Sequence, residues 1–329
     1  MTVLDYILTL ILIVDSLRNP VKYLMMIKSD KTLIIITGPT AVGKTSLSLE
    51  LAKQFQTEII SADSRQFFSE MKIGTSPPDY NELKEVKHHF IGHLSIHDYY
   101  NVSKYEGDAI LLINKLFNTY DKLVMVGGSG LYINAVIHGI DELPDPDEST
   151  RQYLKSIYDS EGISSLRQML KDLDPEYYEQ VDLKNHSRLI RAIEVCLTTG
   201  KKFSSLRKNT KKKRKFNYVF IGLDRERSEL FKIINSRTDN MILNGLIEES
   251  RDLYPFKNLN ALNTVGYKEL FDFIDEKIPL SQAIEDIKTN TRRYAKRQLT
   301  WFKKIKDIEW FHPDEKNKIL EYINHKLGY

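Results

Sequence analysis

The sequence predicts an α/β protein of the P-loop NTPase-like type. A doubly wound parallel sheet is interrupted by an inserted all-helical domain and followed by a helical C-terminal region. Three observations carry this expectation. An apolar run, Leu33-Ile34-Ile35-Ile36, leads into Gly38-Pro39-Thr40-Ala41-Val42-Gly43-Lys44-Thr45, a G-x-x-x-x-G-K-[ST] phosphate loop between a strand and a helix. Short β-rich runs then alternate with helical stretches to about Ile140, the pattern of a sheet wound on both faces. Beyond that point the strand signal is lost, and it resumes only near residue 216.

The elements follow in order. Tyr6 to Val14 is apolar apart from Thr9, too short for the roughly 20 residues of a membrane span. No basic residue precedes it and no small-residue cleavage pattern follows, as a secretory signal would need. Met25 and Met26 stand just before the first strand. Residues 1–30 are therefore expected to be a leader that is untranslated or disordered, with an N-terminal helix packed on the domain as the alternative. Thr32–Thr37 reads as the first strand and Ser46 to Phe55 as the helix after the loop. Glu58–Ala62 is the second strand and runs into Asp63-Ser64-Arg65-Gln66. Lys122–Val126 is the third and runs into Gly127-Gly128-Ser129-Gly130. Ligands of such sheets gather at the carboxyl ends of the strands, so these three segments should share one rim.

Asp141-Glu142-Leu143-Pro144-Asp145-Pro146 reads as a rigid acidic linker into a helical insertion at residues 142–212. The catalytic core is expected at 31–141 and 213–311, with a tail at 312–329. Lys201 to Lys215 carries no acidic residue, and Asn217 to Leu223 returns to a strand pattern. In the helix from Ile284 to Lys306, the residues Ile287, Ala295, Leu299 and Phe302 form a core stripe. Arg293, Arg297 and Lys304 fall on the opposite face with Tyr294 and Trp301 interleaved, a footprint suited to a phosphate backbone. A net charge of only +3 does not by itself announce a nucleic-acid partner. The single cysteine, Cys196, excludes an intrachain disulfide framework and fits a reducing, cytoplasmic setting.

The phosphate loop defines the chemistry. Its glycines let successive N–H groups face inward at a helix N-terminus, Lys44 can reach a terminal phosphate, and the Thr45 hydroxyl can hold Mg²⁺. Asp63, one crossover later, lies where a carboxylate can take a proton from an incoming nucleophile, with a helix N-cap as the plain alternative. The third strand ends in Gly-Gly rather than in an acid, which argues against nucleotide hydrolysis. His88, His89, His93 and His97 suggest a metal cluster, but Gly92 breaks the helix that would align them.

With these residues assembled, the chain closely resembles bacterial tRNA dimethylallyltransferases, which prenylate an anticodon-loop adenosine. The resemblance runs from about Thr32 to Phe311. It rests on Gly38 to Thr45, Ser61 to Gln66, Lys72-Ile73-Gly74-Thr75, His88-His89 and Val126 to Tyr132. Asn185 to Arg191, Val265 to Glu269 and Ala295 to Trp301 complete it. It implies that the phosphate loop holds the diphosphate of dimethylallyl diphosphate. It also implies that Asp63 is the base toward the adenine amine, and that Arg237 is a second diphosphate contact. Residues implied to touch the tRNA anticodon stem-loop are Asp63, Ser64, Arg65, Gln66, Ser129, Arg151, Ser187, Arg188, Leu189, Ile190 and Arg191. Further along the chain they are Leu262, Asn263, Thr264, Val265, Gly266 and Tyr267, then Lys296, Arg297, Gln298, Leu299, Thr300, Trp301, Phe302 and Lys303. The family usually has Thr at position 129, and the Ser here keeps the hydroxyl. A monomer acting away from membranes is expected. Three rivals share parts of this pattern. A small-molecule kinase would transfer phosphate from ATP. A prenyltransferase for free AMP or ADP would have little use for the insertion. An RNA-binding module with a vestigial loop would not need intact Lys44, Thr45 and Asp63.

Overall fold

The computed structural model describes residues 31–145, 147–208 and 211–328, so the expected leader lies outside the described residues. The chain divides into two compact units. One is an α/β unit reaching Ile137 and resuming at Arg214, and the other spans His138–Lys213.

In the α/β unit, β1 (Thr32–Thr37) is wholly buried and feeds the phosphate loop and α1 (Lys44–Gln54). Then come β2 (Ile59–Ser61), α2 (Tyr80–Glu85), β3 (His88–His89), α3 (Val102–Leu116), β4 (Lys122–Val126) and α4 (Gly130–His138). The six strands, with β5 (Asn217–Leu223) and β6 (Glu309–Phe311), are ordered β3-β2-β4-β1-β5-β6, and every pair is parallel. Alternation along β1 divides the core. Leu33 and Ile35 pack with Tyr105, Ala109 and Ile113 of α3 and with Ile133 and Val136 of α4. Ile34 and Ile36 pack on the other face with Leu47 and Leu51 of α1. Two buried faces explain why this strand is uniformly apolar.

After β5 come α10 (Arg227–Leu243), α11 (Leu246–Leu253), α12 (Tyr267–Ile274), α13 (Leu280–Phe302) and α14 (Lys316–Leu327); α5 to α9 belong to the helical unit described below. A third cluster joins Phe68, Met71 and Ile96 to Leu246, Leu262, Tyr267, Leu270 and Ile287, so the segment after β2 is packed onto the C-terminal helices. The segment read as a tail is structural: Ile319 and Ile323 of α14 are fully buried against the sheet. In α13 the buried position between Ala295 and Phe302 is Gln298 rather than Leu299, which is half-buried.

The helical unit contains α5 (Glu148–Glu161), α6 (Ile163–Leu173), α7 (Pro175–Tyr178), α8 (His186–Thr199) and α9 (Phe203–Leu206), and its described residues form no strand. Asp147, Asp174 and Asn185 cap three of these helices. Leu154, Leu166, Leu170, Leu189, Ile193 and Phe203 make a separate core. Cys196 is buried there, and burial pushes its thiol pKa up, as expected for a packing residue.

Candidate active site

The site begins with what β1 and α1 leave unsatisfied. Gly43 at the N-cap of α1 supplies no side-chain cap, and the first turn carries no acid, so the free N–H groups and helix dipole face the loop. Gly38 has φ +144°, and a Cβ there would fall 2.5 Å from the Leu223 carbonyl oxygen. The loop is thus wedged against the end of β5. Lys44 Nζ donates to the carbonyls of Pro39 at 2.7 Å and Gly38 at 3.1 Å. Burial brings its pKa down to about 8; Asp63 draws it back up and Arg237 lowers it further.

Asp63 leaves the end of β2, and its Oδ1 accepts the Arg65 N–H at 3.0 Å. It borders two spaces. One, of about 40 Å³, is shared with Lys44, Thr45, Ser61 and His88. The other, about 430 Å³, includes Thr40, Arg65, Arg237, Val265, Tyr294 and Arg297 in its lining. Arg237, on α10, donates from Nε to Ser76 Oγ at 3.0 Å and from Nη1 to Thr40 Oγ1 at 3.4 Å. It therefore bridges the phosphate loop, at Thr40, and the turn that carries Ser76. Burial lowers the pKa of the Arg237 guanidinium, and the Asp63 carboxylate partly offsets this.

The remaining predicted contacts divide into surface and scaffold. Ser129 Oγ accepts the Ser64 N–H at 3.2 Å, tying the β4 turn to the β2 turn. Arg65 donates to the carbonyls of Asn260 and Ala261, and Gln66 to those of Thr75 and Ser76. Asn263, Thr264, Val265 and Gly266 line the larger cavity directly. Lys296, Arg297, Thr300 and Trp301 form an exposed patch with Arg293 and Lys304. Lys303 pairs with Asp224 at 3.0 Å.

Several residues expected to touch RNA do not present their side chains. Leu189, Leu262, Tyr267 and Phe302 have no exposed surface. Gln298 is 6% exposed; its Oε1 accepts the Thr40 N–H at 2.8 Å and its Nε2 donates to the Gly128 carbonyl at 3.0 Å. These side chains belong to the interiors of their own units, because apolar groups are driven inward and a buried amide must be paired. In the helical unit, Arg151 and Arg191 converge on Glu194 Oε2 at 3.0 and 2.8 Å. Ser187 and Arg188 lie in the first turn of α8, with Arg188 exposed and Ile190 half-buried.

The four histidines disperse. His88 Nδ1 meets the Val86 carbonyl, His89 meets Glu58, and His93 and His97 pack on aromatic rings. Among the described residues no three His, Cys, Asp or Glu side chains are grouped to hold a metal ion. Two parts of the site escaped the sequence reading: Ser76, which receives Arg237, and Glu249, which holds the turn before it. Glu249 could not be singled out because a glutamate on a polar helix face is ordinarily solvated.

Residues 66–305 match the family model described as IPP transferase. The chain belongs to the IPP transferase family. Among relatives, it is 56% identical over 297 residues to the tRNA dimethylallyltransferase of Christiangramia forsetii, covering 90% of this chain and 98% of that one. It is 48% identical to tRNA dimethylallyltransferase 1 of Phocaeicola vulgatus, over 89% of this chain and 98% of that one. Among solved structures of the family, the Bacillus halodurans tRNA isopentenylpyrophosphate transferase superposes with a TM-score of 0.67 at 36% identity, covering 91% of this chain and 97% of that one. A eukaryotic dimethylallyltransferase acting on tRNA gives a TM-score of 0.67 at 26% identity, covering 85% of this chain and 73% of that one. These solved structures carry the same P-loop-like architecture.

Proposed function

We propose that this chain transfers a dimethylallyl group from dimethylallyl diphosphate to the exocyclic N6 of the adenosine next to the tRNA anticodon, releasing diphosphate. The observation that carries the reading is the placement of Asp63. Its carboxylate borders both the small space beside Lys44 and Thr45 and the larger cavity holding Arg237 and Arg297. The first sets Asp63 beside the phosphate loop, and the second, at about 430 Å³, is large enough for an extruded base.

The adenine amine is a weak nucleophile, so the barrier falls chiefly by stabilising the leaving group. As the C1–O bond breaks, charge grows on diphosphate. Lys44, Arg237 and the N–H groups at the start of α1 would meet that charge in a partly dry site. The amine nitrogen bonds to C1, and Asp63 takes its proton. An adenine stacked in its loop cannot reach this depth, so the base is extruded into the larger cavity. Lys296 and Arg297 on α13, and Arg188 on α8, would grip the stem-loop phosphates.

Mg²⁺ fits the donors present. The Thr45 hydroxyl and Asp63 carboxylate share the small space, and hard oxygen donors completed by substrate phosphates are what this ion prefers. Bound there, it would add positive charge against the departing diphosphate. No helix among the described residues is long and apolar enough to cross a membrane. The test is direct. The purified chain, given dimethylallyl diphosphate and an anticodon stem-loop, should yield prenylated adenosine by nucleoside mass analysis. Transfer to free AMP, or phosphate transfer from ATP, would replace this reading.

A further inference from the structure

We propose that Glu249 is a positioning residue for Arg237, acting through the turn at residues 72–76. The inference rests on the reading of Arg237 as a diphosphate contact. Glu249, on α11, accepts four hydrogen bonds. Its Oε2 takes the N–H groups of Lys72 at 2.9 Å and Ile73 at 2.8 Å. Its Oε1 takes the Gly74 N–H at 2.9 Å and the Tyr267 hydroxyl at 2.7 Å. Three consecutive backbone N–H groups converging on one anion form a nest, an arrangement that elsewhere captures phosphates. Here the anion is the protein's own. Among the described residues Glu249 has no cationic partner, so its charge is met by amide dipoles and a phenol.

What this clamp fixes lies two residues on. Ser76 has φ +43°, the left-handed region that side-chain-bearing residues seldom enter and that is kept only where surroundings over-determine it. Its N–H donates to the Ile73 carbonyl at 3.0 Å, inside the clamped turn. Its own carbonyl accepts from Gln66 at 3.1 Å and Arg237 Nη2 at 3.4 Å, and its Oγ accepts from Arg237 Nε. The guanidinium thus leans on a strained residue that the Glu249 clamp holds in place. The turn also has no slack. A Cβ at Gly74 would fall 2.6 Å from Tyr267 Cζ, and the Tyr267 hydroxyl is itself held by Glu249.

The test measures inorganic diphosphate affinity by calorimetry, together with kcat and KM for dimethylallyl diphosphate. The parent chain is compared with Glu249→Gln, Arg237→Gln and the double variant, with circular dichroism as the check on folding. Glu249→Gln keeps the size of the side chain but turns an amide toward backbone donors. Diphosphate affinity should fall by about tenfold, the scale of a hydrogen bond to a charged group. In the Arg237→Gln background the same change should cost less than twofold, because residues acting as one unit are not additive. Losses that multiply would show that Glu249 only stabilises the fold and would overturn the proposal. An affinity within twofold of the parent for Glu249→Gln, with Arg237→Gln impaired, would overturn it too. If Arg237→Gln binds diphosphate normally, the reading of Arg237 falls and the proposal with it. Should Glu249→Gln not fold, Glu249→Asp keeps the charge, pulls it back by one methylene, and is scored by the same cycle.

Discussion

The two ends of the site, the phosphate loop within and the exposed face of α13 without, are both cationic but are built in opposite ways. At the inner end Arg237 is held by Ser76 and Thr40, and Lys44 is folded onto the loop carbonyls with its pKa pulled down by burial. At the outer end Arg297 is exposed, its guanidinium lying 5.7 Å from the Tyr294 ring centroid, with Trp301 41% exposed on the next turn of the same helix. Fixed, partly desolvated charge is what a reaction with a developing anion needs, because no reorganisation is left to be done in the transition state. Exposed, solvated charge suits a polyanion, which is gripped by counterion release. Position, rather than number of charges, separates chemistry from grip.

The sharpest way to break this contrast is at Asp63, between the two ends. Asp63→Ala should lower kcat by roughly 10²-fold or more, the scale for loss of a general base. Diphosphate and stem-loop affinities should hardly change. Single-turnover rates within a few-fold of the parent would remove Asp63 from that role. Next, Lys44→Ala should lower kcat by about 10²-fold and also raise KM for the prenyl diphosphate, because the charge it meets grows as the reaction proceeds. A change in KM alone would make Lys44 a binding residue only. Thermal protection by ATP, and not by dimethylallyl diphosphate, would favour a kinase.

A smaller effect sharpens the inner end. Lys44 has its pKa lowered to about 8 in the free site, so it is charged below that pH and neutral above. Diphosphate binds the charged form. The part of the affinity that depends on Lys44, read as the ratio of parent to Lys44→Ala in a calorimetric pH series, should therefore be flat below about pH 8 and fall up to about tenfold per unit above it. The smallest effect is expected at exposed arginines. Arg188→Ala with Arg297→Ala should weaken stem-loop binding and reduce the log–log salt slope by about 0.7–0.9 per lost phosphate contact. Diphosphate binding should be unchanged. An unaltered slope would mean that these arginines only solvate helix surfaces.

How much of this was legible follows from the physics of each part. β1, β4 and β5 announced themselves because strands buried on both faces must be apolar and must end where the chain turns, here at glycine or acid. β3 and β6 did not, being two and three residues long with no fully buried position. The helix α14 was hidden because its two core isoleucines sit among lysines and asparagines. In the site, the loop and Asp63 were readable as motifs, whereas the nest around Glu249 joins residues about 175 positions apart and leaves no local pattern. The stripe on α13 was misjudged by one residue. Sequence spacing favoured Leu299, but a glutamine with both ends paired is as much at home in the interior as a leucine.

That glutamine has a thermodynamic consequence. Gln298 bonds at one end to the Thr40 N–H of the phosphate loop and at the other to the Gly128 carbonyl, while its helical neighbours Arg297 and Trp301 face outward. The helix proposed to meet the tRNA is therefore stitched to the loop proposed to meet the diphosphate. A shift of α13 on engaging a polyanion would pull on the loop through these two bonds, and filling of the loop would pull on α13. Linkage then requires reciprocity: whatever factor the first substrate applies to the affinity of the second, the second applies to the first.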